Sequence, residues 1–78
     1  MTTLEKILCN TVGTVDIEVR CIVHFKDGET DDMLIGMCQY KNGHLFSLDG
    51  DTYSLRDRVY DWSWDENGDL TVWDEWYE

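Results

Sequence analysis

From residue 15 to residue 25 apolar side chains take every odd position (Val15, Ile17, Val19, Cys21, Val23, Phe25), while Asp16, Glu18, Arg20 and His24 take even ones. Only Ile22 breaks the alternation. A period of two is that of a strand with one face on a core and the other in water. A half-buried strand of this length needs neighbours, and the remaining sequence is punctuated to supply them. Lys26-Asp27-Gly28-Glu29, Lys41-Asn42-Gly43-His44, Asp49-Gly50-Asp51 and Asp65-Glu66-Asn67-Gly68-Asp69 each set glycine beside Asp or Asn, the chemistry of tight hairpin turns. Residues 32–40 and 45–48 flank the Asn-Gly turn as strands, and residues 53–55 read as a short strand. Residues 59–64 and 70–76 form a hairpin across the turn at 65–69.

The amino terminus reads two ways. Thr2-Thr3-Leu4-Glu5 resembles a capping box, and Leu4, Ile7 and Leu8 would share one face of a short helix over residues 3–9. The competing reading, favoured here because it completes a meander, is a strand over residues 5–12 that turns at Gly13. The expected fold is therefore mainly β: a small twisted antiparallel sheet or open barrel of five to six strands, with the short N-terminal helix as the alternative. There is no proline, no linker-like stretch and no internal repeat, so residues 1–78 form a single acidic domain.

With 42% apolar residues and 13% aromatics, this chain can close a core, which a disordered acidic tail cannot. A chain so short buries only about 60% of the surface its unfolded form exposes, so a homo-oligomer or a bound partner is a natural way to bury more. Three cysteines, Cys9, Cys21 and Cys38, are odd in number and widely spaced, which points to reduced thiols.

Seventeen acids against six Lys and Arg give a net charge of −11. Six dispersed cations cannot make the phosphate contacts on which nucleic-acid binding rests, and an anionic membrane surface would repel the chain. No apolar run approaches the roughly 20 residues that span a bilayer, and residues 1–10 lack the pattern of a signal peptide. The expected compartment is the cytoplasm.

Signatures of catalysis are missing. His24 and His44 are the whole imidazole supply, and neither sits in a nucleophile motif. Cys21 and His24 are three apart in a strand, so their ligand atoms diverge and no zinc site follows. Paired carboxylates are uninformative where 17 acids are present. The acidic turns do not match a calcium loop: Gly68 is fourth counting from Asp65, where an EF-hand wants glycine sixth. The expectation is a non-enzymatic domain with no cofactor and no metal.

The charge is unevenly distributed. Residues 49–78 carry ten acids against Arg56 and Arg58, a net of −8, whereas residues 1–48 have a net of −3. All four tryptophans, Trp62, Trp64, Trp73 and Trp76, lie in that second stretch. Tyr60, Trp62 and Trp64 share a strand face, read as core. If Trp64 pairs with Leu70, then Leu70 and Val72 join that same face and Trp73 lies outside it with Asp61; a one-residue shift in register reverses this. The candidate partner-binding residues are Asp57, Asp61, Asp65, Glu66, Asp69, Asp74 and Glu75, with Trp73 and Trp76 as aromatic anchors.

Acids on alternate strand positions repeat every 6.6 to 6.8 Å or so, and such a row can imitate a run of phosphates. The expected partner is thus a basic nucleic-acid-binding protein, bound in the groove that normally holds its nucleic acid. The alternative is a structural or adaptor module that self-associates through a strand edge or an aromatic patch. In size, acidity, reduced cysteines and lack of catalytic signatures, the whole chain resembles phage-encoded inhibitors such as anti-CRISPR proteins and anti-restriction DNA mimics. That resemblance implies an inhibitor, rests on no diagnostic motif and assigns no residue.

Overall fold

The computed structural model describes residues 2–50 and 53–78. In chain order they form β1 (Thr2–Thr3), α1 (Leu4–Leu8), β2 (Thr14–His24), β3 (Thr30–Lys41), β4 (His44–Gly50), β5 (Arg58–Val59), β6 (Asp61–Trp64) and β7 (Leu70–Tyr77). The alternating segment is β2, and it is the middle strand of a five-stranded sheet ordered β4-β3-β2-β7-β6. A two-stranded ribbon of β1 and β5 accompanies it. The molecule is mainly β, as the sequence predicts.

Three hairpins follow the turn chemistry. Phe25 N–H donates to the Glu29 carbonyl (2.9 Å) and Gly28 N–H to the Phe25 carbonyl (3.0 Å), with Gly28 at φ 91°. The turn at 65–69 repeats this arrangement, Asp65 N–H to the Asp69 carbonyl and Gly68 N–H to that of Asp65. Between β3 and β4, Asn42 (φ 52°) and Gly43 (φ 81°) form the left-handed two-residue turn that the Asn-Gly pair favours. Gly50 ends β4 at φ 67°, where an added Cβ would strike the Ile35 carbonyl oxygen and lie 2.9 Å from Gly36 Cα, so only glycine permits this approach of β4 to β3.

Four expectations about strands and their pairing need correction. The sheet is mixed, because β2 and β7 run parallel, with Ile17 beside Leu70 and Val19 beside Val72. A period-two pattern marks which face is buried but not the direction of a neighbour, so the antiparallel expectation had no signal to contradict it. Residues 5–12 are not a strand. Thr3 caps α1 by accepting from Lys6 N–H (3.4 Å), and the unsatisfied N–H groups of Leu4 and Glu5 find the carbonyls of Asp57 (3.1 Å) and Leu55 (2.8 Å). Residues 53–55 are a loop, in which the Asp57 carboxylate accepts from Ser54 N–H (2.7 Å) and the Tyr53 hydroxyl donates to the Arg58 carbonyl (2.8 Å). Finally, the run at 59–64 is divided: Val59 pairs with Thr2 in the ribbon, Tyr60 bends, and β6 starts at Asp61.

The core lies on one side of the sheet only. Val15, Ile17 and Val19 of β2, Cys38 of β3, and Leu70 and Val72 of β7 point into it. Leu4 and Leu8 of α1, Tyr53 and Val59 close it from above. Trp64 stands opposite Leu70 and Trp62 opposite Val72, the first of the two registers that the sequence allows. Tyr60, Trp62 and Trp64, expected in the core, are instead exposed (48%, 43% and 42%), because β6 is the outermost strand and has no further neighbour to cover them.

Cys21 and Cys38 are buried and unpaired, whereas Cys9 is exposed. Burial pushes the Cys38 thiol up to about 11 and raises that of Cys21, with the charges of Asp74 and Asp32 adding to it. Since the thiolate is the reacting species, iodoacetamide at pH 8 is expected to label one cysteine quickly and two at least tenfold more slowly under native conditions. Mass spectrometry of the labelled peptides checks this; rapid labelling of Cys38 would show that the core side of the sheet opens.

Candidate functional site: the open face of the sheet

The even-numbered residues of β2 face away from the core, and nothing in the described chain packs over them. By register the same face carries Gln39, Met37, Leu34 and Asp32 of β3, Thr71, Trp73, Glu75 and Tyr77 of β7, and Asp61 and Ser63 of β6. None of these residues is buried. Asp16, Glu18, Asp32, Asp61 and Glu75 therefore stand on one bare surface, with Asp49 of β4, opposite Met37, at its edge.

Cross-strand bonds hold three of these, Asp16, Asp32 and Glu75, in place. Arg20 donates through Nε to Asp32 (2.8 Å) and lies 3.5 Å from Glu18, while Trp73 Nε1 donates to the second Asp32 oxygen (3.1 Å). The Arg20 hydrogen bond, helped by that of Trp73, holds the Asp32 carboxyl below the usual carboxylate range, so it stays ionised through neutral pH. Gln39 Nε2 donates to Asp16 (2.8 Å). At the far end Glu75 lies 2.8 Å from His24 Nε2, and the His24 ring stacks on Tyr77 with centroids 4.4 Å apart. The charge of Glu75, with a hydrogen bond to it, raises the Tyr60 phenol; burial and the same carboxylate raise that of Tyr77. At the near end a shallow hollow of about 320 Å³ opens between Asp16, Glu18, Met37, Asp65, Asp69 and Thr71.

The fold disperses the residues that the sequence singled out. Asp61 and Glu75 belong to the open face. Trp73 does too; it is half-buried, and its Nε1 donates to Asp32. Asp65 and Asp69 line the hollow at the sheet end, where Asp69 accepts from Asp16 N–H (3.2 Å), and Glu66 is exposed in the same turn. Asp74 lies on the opposite face, beside Cys21, Ile35 and Trp76. Trp76 also points there, beyond the core, and is 68% exposed. Asp57 is exposed in the loop before β5, holding its own turn.

Asp16, Glu18 and Asp32 are the additions. Parallel pairing of β7 with β2 brings the acids of the two sequence halves onto one surface. The usable signal was the even-position set of β2 itself, two acids on the face that the alternation turned away from the core.

Metal-ligand geometry does not arise on this surface. Cys21 and His24 point to opposite sides of the sheet, and the described residues contain no cluster of three or more His, Cys, Asp or Glu able to hold an ion. Asp65 Oδ1 accepts from Asn67 N–H (2.8 Å) and Asp69 N–H (3.0 Å), and Asp27 accepts from Glu29 N–H (2.9 Å). These acids build turns. Asp51, named with the third acidic turn, lies outside the described residues. No described helix is long and apolar enough to cross a membrane. Compared with known proteins, the chain matches no family model, no curated protein and no solved structure.

Proposed function

We propose that this domain is a small acidic, non-enzymatic inhibitor that binds a basic nucleic-acid-handling protein and occupies its nucleic-acid groove. The observation that carries the reading is the bare face of the sheet, where Asp16, Glu18, Asp32, Asp61 and Glu75 stand on a shared frame around Arg20. Neighbouring strands are about 4.8 Å apart and alternate residues about 6.7 Å apart, so these carboxylates form a dense anionic patch of the kind a phosphate backbone presents. Preorganisation matters here, because carboxylates already held by cross-strand bonds lose little freedom when a partner docks. The partner is cytoplasmic in this reading, and direct contact with nucleic acid or membrane plays no part.

Affinity capture from a bacterial lysate on the immobilised domain tests the proposal. Nucleic-acid-binding proteins are expected to elute in a narrow salt window and to be displaced by added duplex DNA or by RNA, because the two ligands compete for one groove. Captured proteins that neither nucleic acid displaces would overturn the mimicry.

A further inference from the structure

A five-stranded open sheet has free edges, and three of the four here are guarded by acids. On β6 the Trp62 N–H already donates to the Asp61 carboxylate (2.8 Å). Past the end of β6, the Glu75 N–H of β7 donates to Asp74 (2.9 Å). Residues 30–35 of β3, which extend beyond β4, carry Asp31 and Asp32. Carboxylates on an edge repel a second strand of this same acidic chain and occupy the donors it would use.

The outer edge of β4 is different. The two-residue turn closes on Lys41 and His44, and Gln39 with Phe46 is the next bonded pair, so the N–H and C=O groups of Leu45 and Ser47 turn outward. The five residues His44, Leu45, Phe46, Ser47 and Leu48 include no acid, and none of their amides has a side-chain acceptor among the described residues. Phe46 and Leu48 are 50% and 57% exposed. In a chain of net charge −11, this is the free edge with the least electrostatic resistance to its own copy.

We infer that the β4 edge pairs antiparallel with the β4 edge of a second copy, joining two five-stranded sheets into one of ten. The pairing is centred on Phe46. Leu45 then stands opposite Ser47 of the other copy as a hydrogen-bonded pair, and His44 stands opposite Leu48. The two Phe46 rings meet at the two-fold axis on the open face, an isologous contact in which each copy offers the same patch. Aromatic pairs across strands add to such a contact, and Met37 flanks it on the same face. The one acid of the strand, Asp49, falls at the end of the paired stretch, near Lys41 of the other copy. A basic partner strand has no reason to choose this edge over those bearing Asp31, Asp32 or Asp74, so charge argues for a second copy. The inference does not rest on the mimic reading, and salt separates the two: added salt screens the repulsion between two acidic copies and strengthens the dimer, whereas it weakens a complex with a basic protein.

Sedimentation equilibrium of the full chain, over a range of concentrations and at low and high salt, tests it. The mass is expected to double from 9.2 kDa with rising concentration, at lower concentration in high salt. Phe46→Lys and, independently, Ser47→Pro are expected to keep the chain at monomer mass over the same range. Phe46→Lys reduces the net negative charge, so loss of the dimer there reports on the contact at the two-fold axis and not on overall repulsion between acidic chains, and circular dichroism shows whether Ser47→Pro folds. Trp76→Lys, at the other exposed aromatic, is expected to leave the dimer unchanged. A wild-type chain that stays monomeric at every concentration and salt would overturn the inference. So would a dimer that survives both β4 substitutions or is lost with Trp76→Lys.

Discussion

Ile17→Ala is expected to cost about 2–5 kcal/mol of stability, and with it much of what a domain of this size possesses. Ile17 is fully buried on the central strand, flanked by Cys38 on β3 and Leu70 on β7, beneath the layer formed by α1 and Tyr53. The cavity left there has walls of backbone on three strands and cannot collapse easily. For a domain of 60 to 100 residues each kcal/mol moves Tm by about 4–8 °C, so a fall of about 8 °C or more is expected. The informative control is Ile22→Ala in the same strand. Ile22 is half-buried on the open face, between Asp32 and Glu75, and its truncation is expected to cost about 1 kcal/mol or less. Thermal or urea melts of the two variants compare the faces directly. Equal losses would mean that the sheet is covered on both sides.

That contrast between faces was legible from residues 15 to 25, because the strand period alone decides which side chains share a side. The register of Trp64 with Leu70 was one of two that the sequence left open, because a one-residue shift exchanges the faces. Other features depend on partners far along the chain. Whether residues 4–8 form a helix is settled by carbonyls of Leu55 and Asp57, some fifty positions away, which take the N–H groups that a one-turn helix leaves open. Tyr53 reads as a strand residue locally but serves as a plug on the core, held by the Arg58 carbonyl. The candidate site was half legible for the same reason. Acids were grouped by their position in the chain, whereas the fold groups them by face, and β7 slipping in parallel beside β2 is what places Glu75 with Asp32 and removes Asp74 to the other side.

Reversing two open-face carboxylates is the second large expected effect. Glu18→Lys with Asp61→Lys removes two negative charges from the bare face and puts two positive ones where a basic groove would meet them. Like-charge juxtaposition in an interface costs several kcal/mol, while two exposed reversals leave the core untouched. The complex with a protein captured through this domain is expected to weaken at least tenfold, or about 1.4 kcal/mol, with a shallower salt dependence. Fold stability should shift little, since Glu18 makes only an exposed 3.5 Å contact with Arg20, and Asp61 accepts only from the adjacent Trp62 N–H.

The decisive comparison sets that variant beside Glu5→Lys with Asp74→Lys, which changes the net charge by the same amount on the covered side of the sheet. Both pairs take one acid from each half of the chain, so neither total charge nor chain position distinguishes them; only the face does. The Kd of both double variants for one captured protein, at the same ionic strength, is therefore the measurement to make. The open-face account predicts at least a tenfold loss for Glu18→Lys with Asp61→Lys and less than about a threefold change for the other pair. Equal weakening in the two would contradict it, and would leave net charge, not a surface, as the source of binding.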